Sequence, residues 1–177
     1  MKTYSPLQKV VFATSLAAVS VAIDVFFKFV LNIQFFGLPF YAIPVILGGI
    51  ILGPGYGAAI GFVADAIGLF MSGGTYMPLY ALGPVIWGFL PGLILYKRYS
   101  AFKLAWVVPL TYLFVNLNNT LASFVYFGSE TTLSLLVLRM ALIPFNSLII
   151  FYVVKDVHVK LAPFYERFTW LKGEAKA

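Results

Sequence analysis

The chain has no cysteine, a single histidine and little charge. Without cysteine it forms no disulfide, carries no thiol-attached haem and offers no thiolate to a metal. His158 alone makes neither a histidine metal site nor an imidazole proton relay. Charged residues make up 10% of the sequence, against about a quarter in a typical soluble domain. A Walker A run is missing, which excludes ATP hydrolysis by this chain. Serine-hydrolase and zinc-protease signatures are missing too, and no selectivity-filter repeat occurs. These gaps argue against an enzyme, and no cofactor or metal is expected.

Apolar bulk takes the place of charge. Hydrophobic residues make up 62% of the 177 positions and aromatic residues 18%. A water-soluble fold of this size could not hide so much apolar surface, whereas a lipid bilayer is the solvent that makes it stable. Apolar runs between turn signals predict an all-α integral membrane protein with six transmembrane helices, over residues 8–31, 40–53, 55–73, 79–96, 103–127 and 131–155. The second is short and ends in the tight turn Gly53-Pro54-Gly55, so a tilted or partial span is expected there. Residues 1–155 are read as one six-helix transmembrane domain, and 156–177 as a cytoplasmic amphipathic tail with Pro163 and mixed charge. The apolar run 10–31 is too long for a signal-peptide core and is expected to stay as a span.

Basic residues set the orientation. With an even number of spans both termini share a side, and that side carries Lys2, Lys9, Lys97, Arg98, Lys103, Lys155, Lys160, Arg167, Lys172 and Lys176. The connections near 32–39, 72–78 and 128–130 contain no Lys or Arg. Both termini are therefore expected in the cytoplasm. The net charge of +6 is spread along membrane edges rather than gathered in a patch, so it reads as a topology signal and not as a nucleic-acid surface.

Polar groups inside spans are functional candidates by default. Asp24 and Lys28 stand four apart, where they either pair with each other or touch a ligand. Asp65 lies mid-span among Gly61, Ala64, Ala66 and Gly68, a setting that suits close helix packing. Arg139 either pairs with Asp65 or Glu130 or binds an anionic ligand. Asn116, Asn118 and Asn119 with Thr120 cannot all face lipid, and Ser123 extends the face of Asn116 and Asn119 by a turn. Asn146 follows Pro144, which frees a carbonyl in the preceding turn. The uncharged connections carry Gln34, Phe36 and Tyr41 in one loop and Tyr76 and Tyr80 by the other. Such aromatic, amide-rich loops form interfacial belts, as Trp106 and Trp170 do. They also suit a planar ligand rich in heteroatoms. The candidate binding set is Lys28, Gln34, Phe36, Tyr41, Asp65, Tyr76, Tyr80, Asn116, Asn119, Arg139 and Asn146. In helix 1, Ala13-x-x-x-Ala17 and Ala18-x-x-x-Ala22 have the spacing that lets helices approach closely.

In this order and spacing the chain resembles the substrate-binding S components of energy-coupling factor (ECF) vitamin transporters. The resemblance rests on the alanine helix 1, the run from Ile43 through Gly48-Gly49 to Gly53-Pro54-Gly55-Tyr56-Gly57, the element Ala64-Asp65-Ala66-Ile67-Gly68, and Gly73-Gly74-Thr75-Tyr76. Asn116 followed by Arg139 and Pro144 is most similar to the folate branch. The resemblance implies a high-affinity vitamin-binding subunit in a prokaryotic plasma membrane. It also implies association with a membrane-embedded coupling subunit, which Ala13 and Ala17 would contact, and two ATPase subunits. The ligand would sit under the loops after helices 1 and 3. The first loop lacks the basic residues that folate-branch relatives tend to place there, so cobalamin is the rival substrate. A structural or regulatory membrane subunit without a ligand is the rival class, and an intramembrane enzyme a third.

Overall fold

The computed structural model describes residues 6–30 and 39–166, and all its regular elements are helical. They are α1 (Pro6–Val25), α2 (Ala42–Leu52), α3 (Pro54–Met71), α4 (Pro78–Leu95), α5 (Ala101–Phe127) and α6 (Ser129–Glu166). A π-helical turn, Phe26–Val30, extends α1. Among the described residues five helices are long and apolar enough to cross a membrane. The sixth, α2, has 11 residues and reaches roughly 16 Å, about half the hydrocarbon thickness of a bilayer. The partial span expected from its length is what forms. Helix α6 runs unbroken through residue 155 to Glu166, so no turn separates the last span from the described part of the tail.

Helix α2 forms the centre of the bundle. Its sequence, Ala-Ile-Pro-Val-Ile-Leu-Gly-Gly-Ile-Ile-Leu, has no polar face, and a helix apolar all round is stable only when enclosed. All eleven of its residues are buried. Helices α1, α3, α4 and α6 pack around it, and α5 closes the ring between α4 and α6. The outer surface is the inverse of a soluble protein's. Phe70, Phe102, Trp106 and Val137 are 88%, 75%, 68% and 74% exposed, as side chains facing lipid should be.

Glycine lets these helices meet. A methyl group on Gly49 would strike the carbonyl of Gly88, one on Gly88 the carbonyl of Gly57, and one on Gly61 the carbonyl of Pro84. One on Gly57 would lie 2.6 Å from the Cα of Gly49, and one on Gly92 2.8 Å from the Cα of Pro54. The obstructing atoms belong to backbone, so no rotamer can relieve the clash. Small residues at such crossings are what brings helices together in lipid, where no hydrophobic force does.

The seam and the turns fix which end of the bundle is which. Tyr96, at the α4–α5 turn, covers Gly53 at the α2–α3 turn, its ring 3.4 Å from where a Cβ on Gly53 would sit. Tyr99 in the same turn packs at a tilt against His158 of α6, ring centroids 3.8 Å apart, and burial pushes its phenol pKa up. This is the basic end, with Lys97, Arg98 and Lys103. Because α2 starts at Ala42 and fills only the half nearer that end, the opposite half of the bundle has no central helix among the described residues.

Replacing Gly88 by alanine is therefore expected to lower the melting temperature in detergent by about 5–10 °C, the effect of overpacking a close-packed core. Gly55→Ala, with nothing within 4 Å of an added Cβ, serves as the control. Equal melting temperatures for the two variants would remove the seam as the organising contact.

Candidate functional site

The unfilled half of the bundle is where the polar side chains gather. On α5, Tyr112, Asn116, Asn119 and Ser123 recur at spacings of four, three and four, which puts them on one face of a helix. Each level of that face meets a neighbour. Tyr112 Oη accepts a hydrogen bond from Asn146 Nδ2 of α6 at 2.8 Å, and its ring lies 5.4 Å from that of Trp87 of α4. Asn119 Oδ1 lies against Gly83 of α4, 3.2 Å from where a Cβ would be. Ser123 Oγ sits 2.7 Å from Tyr80 Oη and accepts from Arg139 Nη1 at 3.2 Å. The rim is tied by Asn118 Nδ2, which donates to the Leu79 carbonyl at 2.9 Å, and by Tyr126, which stacks on Tyr80 at 6.1 Å.

The opposite wall belongs to α1 and α3. Lys28 and Asp24 form an ion pair at 2.5 Å; of the two readings of that spacing, the self-satisfying pair is present. The π-helical turn that carries Lys28 keeps it stacked over Asp24. The Asp24 carboxylate also abuts Gly68 of α3, 2.9 Å from where a Cβ would be. Asp65 lies within electrostatic reach of both Lys28 and Asp24 but forms no ion pair with Arg139. Tyr41, just before α2, is the floor. Its carbonyl accepts from Ser20 Oγ at 2.7 Å, and its hydroxyl is within electrostatic reach of Asp24, Asp65 and Tyr112. The floor thus joins the two walls.

Of the residues expected to bind, Lys28, Tyr41, Asp65, Tyr80, Asn116, Asn119, Arg139 and Asn146 all lie around this half of the bundle. Tyr76 is in the loop above it, 48% exposed and apart from the polar contacts described. Gln34 and Phe36 lie outside the described residues. Ala17 is 5% exposed and Ala13 packs against the core, so the small residues on the outer face of α1 are Thr14, Ser15, Ala18 and Ala22. The sequence reading missed Tyr112 and Trp87. Tyr112 was discoverable, since it stands one turn before Asn116 on the same face. Trp87 gives no such signal among the glycines and prolines of α4.

Three features bear on chemistry. Arg139 reaches a neutral serine and forms no ion pair among the described residues, which leaves its charge available to an anion. Two buried donors, Trp87 Nε1 and Asn116 Nδ2, have no hydrogen-bond partner among the described residues, and neither does Ser147 Oγ. A group of three or more potential metal-ligating side chains is absent among the described residues.

Comparison with known proteins agrees with this architecture. A family model described as "ECF transporter, substrate-specific component" matches residues 9–161. No curated protein matches the chain. Among solved structures it is similar to the "Crystal structure of FolT bound with folic acid", at 21% sequence identity and a TM-score of 0.61. That match covers 80% of this chain and 92% of the other, and it is a likeness of fold.

Ser123 is the shared partner of Tyr80 and Arg139. Ser123→Ala is expected to lower stability by about 1–2 kcal/mol, a few degrees in melting temperature. A thermal unfolding curve that does not move would show that the α4–α5–α6 contact is held without this hydroxyl.

Proposed function

This chain belongs to the family of ECF transporter substrate-specific components, and from that premise we propose that it captures folate from the outer face of the membrane. The observation that carries the reading is the polar stripe Tyr112, Asn116, Asn119 and Ser123 ending at Arg139, on a fold similar to one solved with folic acid bound. Folate is elongated, flat at one end and anionic at the other. The stripe supplies amide and hydroxyl groups for the flat end. Arg139 supplies a cation for the anionic end, and charge pairing counts for more in a sheltered site than in water.

The site residues act in this reading as a lined chamber. Asn116, Asn119, Asn146 and Tyr80 line one side, Asp65 and Lys28 the other, with Tyr41 beneath; Gln34, Phe36 and Tyr76 belong to the loops that would close over it. One observation favours a less anionic vitamin such as cobalamin: Lys28 is committed to Asp24, so Arg139 is the one cation of this region without an ion pair among the described residues.

The chain is a transporter subunit and a multi-pass membrane protein, with no engine of its own. In the proposed assembly a membrane-embedded coupling subunit and two ATPase subunits power release on the cytoplasmic side, in a prokaryotic plasma membrane. The coupling subunit would dock on the outer face of α1. There Ala18 and Ala22 are exposed to lipid, whereas Ala17 is committed to the core.

Isothermal titration of the purified protein against folate, cobalamin, pantothenate and riboflavin tests the substrate. Folate is expected to bind with a dissociation constant below about 1 μM, and Arg139→Gln to weaken it about thirtyfold or more. Binding of another vitamin alone would reassign the substrate, and binding of none would end the capture reading. For the docking face, Ala18→Trp is expected to abolish uptake in cells that contain the coupling subunits while leaving ligand affinity unchanged. Wild-type uptake by that variant would move the interface elsewhere.

A further inference from the structure

The centre of a membrane protein is the worst place to leave a hydrogen-bond donor unpaired. Water is excluded, the local dielectric is low, and a buried donor without an acceptor loses its hydration with nothing in return. Trp87 is 0% exposed and Asn116 4%, yet Trp87 Nε1 and Asn116 Nδ2 find no partner among the described residues. Several polar groups nearby do find partners. Asn146 and Tyr112 bond each other, and Ser123 serves both Tyr80 and Arg139. Trp87 Nε1 and Asn116 Nδ2 are the two side-chain nitrogen donors left buried without a partner among the described residues.

Their positions are related. Trp87 packs at a tilt against Tyr112, and Asn116 lies one turn beyond Tyr112 on the same face of α5. Trp87 adjoins Gly88, which lies against Gly49 and Gly57, so this is the inner end of the polar face. Arg139 stands at the top, bonded to Ser123. Seven residues of α5 separate Asn116 from Ser123, roughly 10 Å along the helix axis. The site is thus polarised along its length, with an available cation above and two unpaired neutral donors below.

We infer that Asn116 and Trp87 are specificity-determining residues that donate hydrogen bonds to acceptor atoms on the ligand's flat heteroaromatic ring, which enters first and lies deepest, while its anionic end stays at Arg139. The inference rests on the vitamin-capture reading and adds the direction of the ligand, the two residues that read its ring and the chemistry they require. A ring whose edge offers only C–H groups leaves both donors unpaired and is rejected. A ring carrying nitrogen or oxygen lone pairs satisfies them. A site with unpaired polar groups discriminates against a ligand lacking the matching atom far better than an apolar pocket rejects a different shape.

The test separates this from a structural role through stability and affinity measured on the same variants. Asn116→Leu keeps the volume and removes the amide, and Trp87→Phe keeps a ring against Tyr112 and removes the N–H. Removing an unpaired buried donor is expected to leave the melting temperature of the ligand-free protein unchanged or raised, and to weaken folate about tenfold. The wild type should bind 5-deaza and 8-deaza analogues of folate, each with one ring nitrogen replaced by C–H, more weakly than folate, one of them by about tenfold. That difference should disappear in the variants. A ligand-free variant that melts lower, or analogues bound as tightly as folate by the wild type, would overturn the inference. If the wild type takes up no folate at all, the substrate assignment fails on its own. The melting temperatures of the two variants then decide the role of the donors, with a lower value counting against it.

Discussion

The contact on which the rest depends is the meeting of three backbones at Gly49, Gly57 and Gly88. In water, helices are driven together by their apolar faces. In lipid that force is absent, and close packing with small residues takes its place. Each of these glycines is pressed against the carbonyl or Cα of another, so α2, α3 and α4 approach to a distance no side chain would permit. The proline and glycine content that would break soluble helices is tolerated here. Pro84 and Pro91 lie inside α4 and Pro144 inside α6, where neighbouring segments can meet the freed carbonyls.

From this seam follows the placement of α2, and from α2 follows the site. A helix of eleven apolar residues held at the centre is too short to fill the bundle from end to end. Among the described residues, surrounding helices of 18 residues and more then face one another without a core element over the remaining half. Polar residues fit there because they can pair across the gap, as Asn146 does with Tyr112 and Arg139 with Ser123. The same residues on the lipid side would be excluded. One short helix thus decides both where the apolar core is and where polar chemistry becomes possible.

Much of this is legible in the sequence. Apolar run lengths locate the helices, because lipid thickness imposes a length that folding in water does not. The i,i+4 spacing of Asp24 and Lys28 announces a local pair. The amides of α5 have to face inward. Other features are not legible, for physical reasons. Ala13-x-x-x-Ala17 has the spacing of a docking strip, but spacing alone does not say which way a helix face turns, and Ala17 turns inward. Tyr112 and Trp87 are aromatic residues in an aromatic-rich chain, and only tertiary pairing separates them from the lipid-facing Phe and Trp side chains. That α6 continues to Glu166 past residue 155 is hidden by Pro163 and the charges of that segment, which do not end the helix.

The division of labour in the protein has an energetic reason. A site that, among the described residues, holds buried donors without partners and an arginine without a counter-ion gains stability from a ligand that supplies both. A ligand supplying both an anion and lone pairs would recover those terms at once and bind more tightly for that reason. High affinity obtained this way does not reverse by itself, since the terms that favour entry oppose exit equally. Exit would then require work on the helices that form the site. The outer face of α1 is where such work could be delivered. Helix α1 packs on α3 and on the central α2, so a force applied there reaches Asp24, Lys28 and the floor at Tyr41 without passing through the stripe on α5.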